Sequence, residues 1–237
     1  MSEISKTPAR IAGMFDAIAG RYDFLNHFLS GGIDQRWRRR AIRSLKLTGA
    51  ERVLDLCSGT ADLAIAACRA NPSAARVVGV DFAQAMLRVG QEKLERHGLT
   101  KTIALIRGDA TRIPIASGSI DVVTIAFGVR NVENTTAAFD EMRRVLVPGG
   151  RIAILEFATP AVPVVRAAYR WYSTHVLPRI GRLLSRHHEA YGYLPASIEA
   201  FASPDELVKL LQQSGFTSVT TSPLTFGIVY LYTARRD

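Results

Sequence analysis

Three aspartates each stand at or near the end of a short apolar run: Asp55, Asp81 and Asp109. A carboxylate in such a place can accept hydrogen bonds from both hydroxyl groups of a ribose, and the pair Asp109–Ala110 can hold the amino group and ring edge of an adenine. Simpler roles exist, because aspartate also caps helices, as Asp81 would, and forms turns, as Asp109 would after Gly108. Three acids at successive strand ends nevertheless indicate an adenosine-binding edge.

The turn after the first apolar run carries a single glycine, Gly59. Glycine permits a tight turn, so backbone N–H groups and the start of the next helix can approach a ligand closely. An ordinary strand–helix turn is the alternative. The G-x-G-x-x-G fingerprint of NAD and FAD sites is absent. A one-glycine turn beside an adenosine-shaped set of acids points instead to S-adenosylmethionine.

A parallel sheet is needed to bring these residues together, and the chain from residue 51 onward predicts one. Apolar β-branched runs alternate with amphipathic helical patterns, which favours an α/β doubly wound sheet with its ligands at the carboxyl ends of the strands. Two final strands predict an antiparallel hairpin. The predicted strands are 52–57, 77–81, 103–107, 121–127, 151–157, 217–222 and 228–234, the helices 62–70, 84–97, 135–146 and 204–214, with a turn at 148–150.

The whole chain, 1–237, is predicted to be a single domain, since 237 residues leave little room for a second core. Its N-terminal part holds a short helical stretch followed by a helix near 34–45. The predicted parts are an N-terminal helical segment for substrate or membrane (1–48), a cofactor-binding core (49–158), a helical insertion or lid (159–200) and the last helix with the terminal strands (201–237).

Composition excludes several classes of protein. With 48% apolar and 22% charged residues the chain is globular. Two cysteines, Cys57 and Cys68, cannot build a disulfide framework, and no cluster has metal-ligand spacing, so no metal is predicted. The start does not resemble a signal peptide, and no apolar run approaches the ~20 residues of a spanning helix, which predicts a cytoplasmic protein.

The net charge of +9 is unevenly distributed. Residues 1–50 carry +5 and residues 151–200 carry +3, whereas 51–150 carry only +1 and 201–237 are neutral. A basic protein invites nucleic acid or an anionic membrane as partner. The surplus lies outside the predicted cofactor-binding core.

Two other functions compete with small-molecule methylation. A nucleic-acid methyltransferase suits the charge, but the sequence FGVRN stands where DNA base methyltransferases carry N-P-P-Y. DNA methylation is therefore disfavoured, RNA carbon methylation is less firmly excluded, and no nucleic-acid partner is expected. A non-catalytic scaffold with the same fold is the second alternative, and it would not bind S-adenosylmethionine.

From Val53 to Phe157 the chain resembles the class I, Rossmann-like S-adenosylmethionine-dependent methyltransferases. Segments outside this core carry a more specific likeness, to the menaquinone/ubiquinone biosynthesis C-methyltransferases, over roughly residues 10–236. The segments that carry it are MFDAIAGRYD (14–23), SGGID (30–34), AFGVRNV (126–132), RVLVPGG (144–150), VLPRIG (176–181) and YGYLPASI (191–198).

The resemblance implies transfer of a methyl group from S-adenosylmethionine to a ring carbon of a polyprenylated quinol. Carried over by position, the family's cofactor contacts fall on Thr60, Asp81, Asp109 and Ala110, and Ala126 stands where some members have a serine contact. The short N-terminal region favours demethylmenaquinol as substrate. The benzoquinol of ubiquinone biosynthesis, 2-polyprenyl-6-methoxy-1,4-benzoquinol, is the alternative.

A ring carbon becomes nucleophilic when the quinol, a phenol-like acid with a pKa near ~10, loses its proton. Arg130 is a candidate to orient the quinol oxygen or stabilise its charge, with a salt bridge as its alternative. Asn131 can bond the same oxygen or cap its loop, and Tyr22 can close over the reactants or pack in the core. Less favoured candidates are Asp62, His187 and His188.

A polyprenyl quinol lies in the bilayer, so the basic flanks predict transient contact with an anionic membrane surface, at the inner face of the cell membrane. The aromatic and basic run 169–172 suits an interfacial lid. A homodimer is left open. The basic residues of the N-terminal helix are Arg36, Arg38, Arg39, Arg40 and Arg43.

Overall fold

The computed structural model describes residues 6–70, 76–176 and 188–237, with the backbone alone at 188–191. Seven strands and eight α-helices are named here in chain order. They are α1 (Pro8–Leu29), α2 (Ile33–Ser44), β1 (Arg52–Leu56), α3 (Asp62–Ala70), β2 (Arg76–Asp81), α4 (Gln84–Arg96), β3 (Ile103–Arg107), β4 (Ile120–Ala126), α5 (Thr135–Val145), β5 (Leu146–Phe157), α6 (Pro163–Trp171), α7 (His188–Glu199), α8 (Pro204–Gln213), β6 (Phe216–Leu224) and β7 (Val229–Arg236).

The strands form one sheet in the order β3-β2-β1-β4-β5-β7-β6. The first five are parallel, and β7 is antiparallel to both β5 and β6. Chain order reverses between β1 and β4, which is where a doubly wound sheet opens a crevice for ligands. The predicted fold, including the terminal antiparallel hairpin, is confirmed.

Apolar side chains on both faces explain why the central strands are parallel and buried. Leu54 and Leu56 of β1 belong to one core cluster, with Phe139 and Met142 of α5, whereas Val53 belongs to a second cluster on the other face. Successive side chains of a strand point to opposite faces, so a continuous apolar run fills both layers.

The predicted turn at 148–150 is wrong in position, because these residues lie inside β5. The register shifts from Ile120 opposite Leu146 to Val122 opposite Arg151, so the Pro-Gly-Gly tract forms a bulge. Gly149 takes a left-handed φ of 77° there. A bulge absorbs the extra residues without ending the strand.

Helix α1 is longer than the short helical stretch predicted. Its 22 residues begin with Pro8 and end before Gly31 and Gly32, both at positive φ. Gly13 and Gly20 cost about 1 kcal/mol each in a helix interior, which weakens the local signal. Packing compensates for that cost, because Ala19 is buried with Met86 of α4.

Two single-turn segments complete the insertion and the tail. A π-helical turn, Tyr172–Val176, continues α6, and a 3₁₀ turn, Thr225–Gly227, joins β6 to β7. The helix break predicted near Pro178 lies outside the described residues. None of the helices over the described ranges combines the length and apolarity needed to span a bilayer.

Candidate functional site

The turn after β1 is held against the end of β2. Gly59, at a φ of 53°, donates its N–H to Asp81 Oδ2 at 2.8 Å, and Ala83 donates its N–H to Asp81 Oδ1 at 2.9 Å. Each carboxylate oxygen has two lone pairs, so each can accept one more hydrogen bond. Burial raises the pKa of Asp81, although the hydrogen bonds from these backbone N–H groups act to lower it. The carboxylate therefore keeps one acceptor position on each oxygen, as two ribose hydroxyls would need. Gly59 and Asp81 are not themselves among the lining residues of the cavity described next, whereas Phe82, which follows Asp81, is one of them.

A cavity of about 290 Å³, the strand-end cavity, opens beside this turn. Asp109 and Ala110 line it, with Cys57 after β1 and Phe82 after β2. Asp109 Oδ1 accepts both the N–H and the hydroxyl of Thr111 at 2.8 Å. The residues fit the adenosine part of S-adenosylmethionine, because the lining combines an acid and other polar groups with apolar side chains such as Phe82 and Val132.

Asp55 occupies a different position from the other two acids. It is 1% exposed, and its oxygens accept from Ser58 Oγ at 2.8 Å, Thr124 Oγ1 at 2.9 Å and the Ala64 N–H at 3.1 Å. Burial raises its pKa to about 6. The structure does not place Asp55 at the cavity; its bonds hold the glycine turn between β1, β4 and α3.

Thr60 is also engaged within the protein. Its hydroxyl donates to Asp23 of α1 and accepts from Lys93 Nζ at 3.2 Å, and Lys93 pairs with Asp62 at 2.7 Å. The predicted cofactor contact of Thr60 stays a prediction. These bonds tie α1 and α4 to the glycine turn.

A second cavity, of about 420 Å³ and mostly apolar, is the apolar cavity. Helices α1 and α2 supply one wall, and α6 with the π-helical turn supplies another. The segment after β4, the end of β5 and α7 contribute the residues nearest the sheet. Wall residues include Leu25, Leu29, Trp37, Phe157, Tyr169 and Tyr172. Such a space suits a large apolar ligand with few polar atoms.

Arg130 lies at the sheet side of the apolar cavity, 4% exposed. Its Nη1 donates to Glu156 Oε1 at 2.7 Å and to the Phe127 carbonyl, and Glu156 is 1% exposed. Burial disfavours the charged guanidinium, but Glu156, Tyr22 and Tyr193 together outweigh burial and raise the pKa of Arg130. Both interpretations of Arg130 are thus compatible, since it forms a salt bridge and faces the cavity.

Asn131, next in the chain, lines the strand-end cavity instead. Its Oδ1 accepts the hydroxyl of Tyr193 at 2.9 Å. Tyr22 lines the apolar cavity, where burial raises its pKa, so it remains a hydroxyl donor at neutral pH. The structure thus brings the three predicted catalytic residues to the two cavities, and their roles stay predictions.

Arg38 is a site residue that the sequence did not distinguish from the other arginines of α2. It is 8% exposed, lines the apolar cavity and lies 5.4 Å from the centre of the Phe127 ring. Its Nε is buried without a hydrogen-bond partner. It therefore does not belong to the exposed basic face on which the sequence placed it.

Glu156 is the second residue that the sequence reasoning missed. A lone acid in the otherwise apolar strand RIAILEF was the available signal, because a buried charge requires a buried partner. Phe127 was missed too; at a φ of 61° its backbone is left-handed, and its carbonyl accepts from Arg130. Such strain in a non-glycine residue is typical of functional sites.

The structure corrects the statement that no cluster has metal-ligand spacing. His27, Asp34 and Asp62 bring ligand atoms within 4.8 Å of one another. Burial alone would raise the pKa of Asp62, but Arg38 and Lys93 outweigh it and hold that pKa below its usual range. Their charges already balance the carboxylates. His187 and the side chain of His188 lie outside the described residues.

A doubly wound sheet with a cavity at its strand ends is compatible with a methyltransferase that uses S-adenosylmethionine. The chain matches the ubiE/COQ5 methyltransferase family over residues 3–236, and it belongs to that family. The resemblance, the methyltransferase activity and the methyl donor predicted from the sequence are confirmed.

Two relatives match the chain over nearly its full length. It is 47% identical to the ubiquinone/menaquinone biosynthesis C-methyltransferase UbiE of Syntrophotalea carbinolica, over 94% of this chain and 93% of that protein. It is 40% identical to the demethylmenaquinone methyltransferase of Bacteroides fragilis, over 99% of this chain and 96% of that protein.

Solved structures share the fold at low sequence identity. An S-adenosylmethionine-dependent methyltransferase described as putative, from Methanococcus maripaludis, superimposes with a TM-score of 0.63 at 19% identity, covering 100% of this chain and 97% of that one. The [4+2]-cyclase SpnF superimposes with a TM-score of 0.71 at 15% identity, covering 99% and 97%. The fold therefore hosts more than one chemistry.

Proposed function

We propose that this protein methylates a ring carbon of a polyprenylated quinol, and that demethylmenaquinol is its substrate. One observation carries the proposal: the neighbours Arg130 and Asn131 line different cavities, one apolar and one suited to adenosine. Methyl donor and quinol would then meet at this tract. The second relative is named for demethylmenaquinone, whereas the name of the first covers both ubiquinone and menaquinone, so the benzoquinol is the alternative that the assay must test.

Bound S-adenosylmethionine supplies an electrophilic methyl group. The residues of this chain make the acceptor carbon nucleophilic, since Arg130, at the apolar cavity, stabilises the negative charge left on the quinol oxygen. Asn131 lies at the strand-end cavity, so it bonds that oxygen only where the two cavities meet. Tyr22 and the apolar walls exclude water and fix the ring, and positioning of two reactants is a large part of such catalysis. Asp81 holds the ribose and Asp109 the adenine.

The test is methyl transfer by the purified protein. With labelled S-adenosylmethionine and chemically reduced quinols, we expect label in the prenylated naphthoquinol and much less in the benzoquinol. Label in RNA alone would establish the nucleic-acid alternative. No heat of binding with S-adenosylmethionine in calorimetry would establish the scaffold.

We propose further that the protein meets an anionic membrane surface through α2. Arg39, Arg40 and Arg43 are exposed, whereas Arg38 faces inward. Arg39 and Arg43 line a groove between α2 and α3 together with Arg69 and His97. Several cations on one side of a soluble protein attract anionic lipid head groups. A homodimer stays a prediction.

Changing Arg39, Arg40 and Arg43 to Gln should weaken co-sedimentation with anionic vesicles about a hundredfold, since each cation near the surface contributes about 1 kcal/mol. The matched control changes Arg143, Lys209 and Arg235, exposed on other elements, to Gln. Equal weakening in both triple variants would show that net charge alone acts, and would contradict docking through α2.

A further inference from the structure

Six large apolar side chains are exposed within the described part of the chain. Five of them each follow or precede a residue that lines the apolar cavity. We call these five the apolar rim. The pairs, rim residue first, are Phe24 with Leu25, Phe28 with Leu29, Val164 with Val165, Trp171 with Tyr172 and Phe226 with Thr225.

Helix α6 shows most clearly that the rim lacks a partner among the residues that the structure describes. None of its nine residues is buried. Val165 lines the cavity together with Tyr169 and Tyr172, four and seven residues further on. Val164 and Trp171, also seven apart, form a separate stripe and are 79% and 61% exposed. The helix thus carries two apolar stripes, and within the described ranges only the stripe at the cavity has a protein neighbour.

Hydrogen bonds place the rim elements around one cavity. The hydroxyl of Tyr172 donates to the Leu29 carbonyl at 3.0 Å, which joins the end of α6 to the end of α1. Trp37 donates its indole N–H to Thr225 Oγ1 at 2.9 Å, which joins the 3₁₀ turn to α2. Phe226, at a left-handed φ of 57°, is 78% exposed.

The C-terminal end of α1 also carries a pair of stacked aromatic rings. Phe24 and Phe28 stack with their centroids 5.7 Å apart, and both are more than half exposed. Exposed aromatic rings cost free energy in water and are typical of surfaces that meet another apolar phase. On α6, Arg166 and Arg170 are exposed beside the apolar stripe, which is the arrangement of an interfacial helix.

From these contacts we infer that the apolar rim inserts into the acyl boundary of a lipid bilayer, with the apolar cavity opening between its elements. The inference rests on the proposed function, because a polyprenyl chain leaves the bilayer at least cost when it passes from lipid directly into an apolar cavity. Exposed arginines next to apolar stripes fit anionic lipid better than a second copy of this basic chain. The inference adds residues of α6, α1 and the 3₁₀ turn to the contact made by α2.

The first experiment measures binding to vesicles of phosphatidylcholine with phosphatidylglycerol. Phe28→Glu and Trp171→Glu should each bind roughly 10- to 100-fold more weakly than the parent protein, since each removes one buried aromatic side chain. Gln213→Glu, which adds the same charge on an exposed part of α8, is the control and should bind as the parent does. Equal binding by the parent and both rim variants would overturn the inference.

A second measurement uses the natural fluorescence of the protein. It has two tryptophans, of which Trp37 is buried and Trp171 exposed, so Trp171 is the one that brominated lipid can quench if the rim inserts. We expect quenching in the parent protein and in Gln213→Glu, and its loss in Phe28→Glu. A parent protein that is dimeric in solution, becomes monomeric with Phe28→Glu and shows no quenching would assign the rim to a second copy.

Activity separates this inference from the proposed function. Phe28→Glu should methylate a water-soluble short-chain quinol at the parent rate and a vesicle-embedded long-chain quinol at least tenfold more slowly, following its weaker vesicle binding. If the parent methylates neither quinol while Trp171 is quenched, the proposed function fails and the rim stands. If Phe28→Glu methylates both quinols at the parent rate, the inference that the rim inserts into lipid is wrong and the proposed function stands.

Discussion

Asp81→Ala should weaken binding of S-adenosylmethionine by roughly 10²–10⁴-fold, because two hydrogen bonds to a charged carboxylate contribute about 1.5–3 kcal/mol each. Asp81 is 7% exposed and accepts one backbone N–H on each oxygen, from Gly59 and Ala83. The carboxylate is therefore already oriented before the ligand arrives. Titration calorimetry measures the affinity directly.

The same change leaves two backbone N–H groups without a partner, so some stability should be lost with it. Glu51→Gln is the matched control. Glu51 also accepts backbone N–H groups, from Thr48 and Gly49, but it precedes β1, at the opposite end of the strand. The control should be less stable with unchanged affinity. If Asp81→Ala also keeps the parent affinity, Asp81 does not belong to the cofactor site.

Arg130→Gln should lower quinol turnover by about 10²–10³-fold, the usual loss when one group that stabilises a developing oxyanion is removed. It should also destabilise the fold by about 3–5 kcal/mol, since Glu156 would remain buried and unpaired. Denaturant unfolding and initial rates with saturating S-adenosylmethionine measure the two effects separately.

A double variant separates these effects. Adding Glu156→Gln to Arg130→Gln replaces the ion pair by two neutral amides, so most of the lost stability should return. Turnover should stay low, because the positive charge at the cavity is still missing. Recovery of turnover together with stability would show that Arg130 acts only as the partner of Glu156.

The sequence determined the sheet, and it predicted the edge at which we propose that the methyl donor binds. Apolar runs of strand length, alternating with helical periodicity, allow few arrangements other than a doubly wound sheet. In such a sheet the carboxyl ends of the strands share one edge, so residues after different strands are neighbours whatever their distance in sequence. That geometry predicts that Gly59, Asp81 and Asp109 are neighbours; the Gly59 N–H does donate to Asp81, and Asp109 lines the strand-end cavity, while their roles toward a ligand stay predictions.

The local hydrophobic pattern was insufficient to predict elements whose conformation is set by tertiary packing. Helix α1 contains two glycines that weaken its signal, and only its contact with α4 shows why it extends over 22 residues. The Pro-Gly-Gly tract has the residues of a turn, yet β4 pairs with Leu146 before it and with Arg151 after it, which keeps the tract within a strand. The length of α1 and the strand at the Pro-Gly-Gly tract both depend on residues that are distant in sequence.

The net charge of +9 also shows, residue by residue, what the sequence determined and what only the tertiary structure decided. The sequence placed the surplus in the flanks, outside the cofactor-binding core. Only the tertiary structure decided that Arg38 is buried at the apolar cavity while Arg39 and Arg40 face solvent, and that Arg130 pairs with Glu156, 26 residues away. Spacing determines which residues share a helix face or a sheet edge, whereas burial and pairing depend on how separate elements pack against one another.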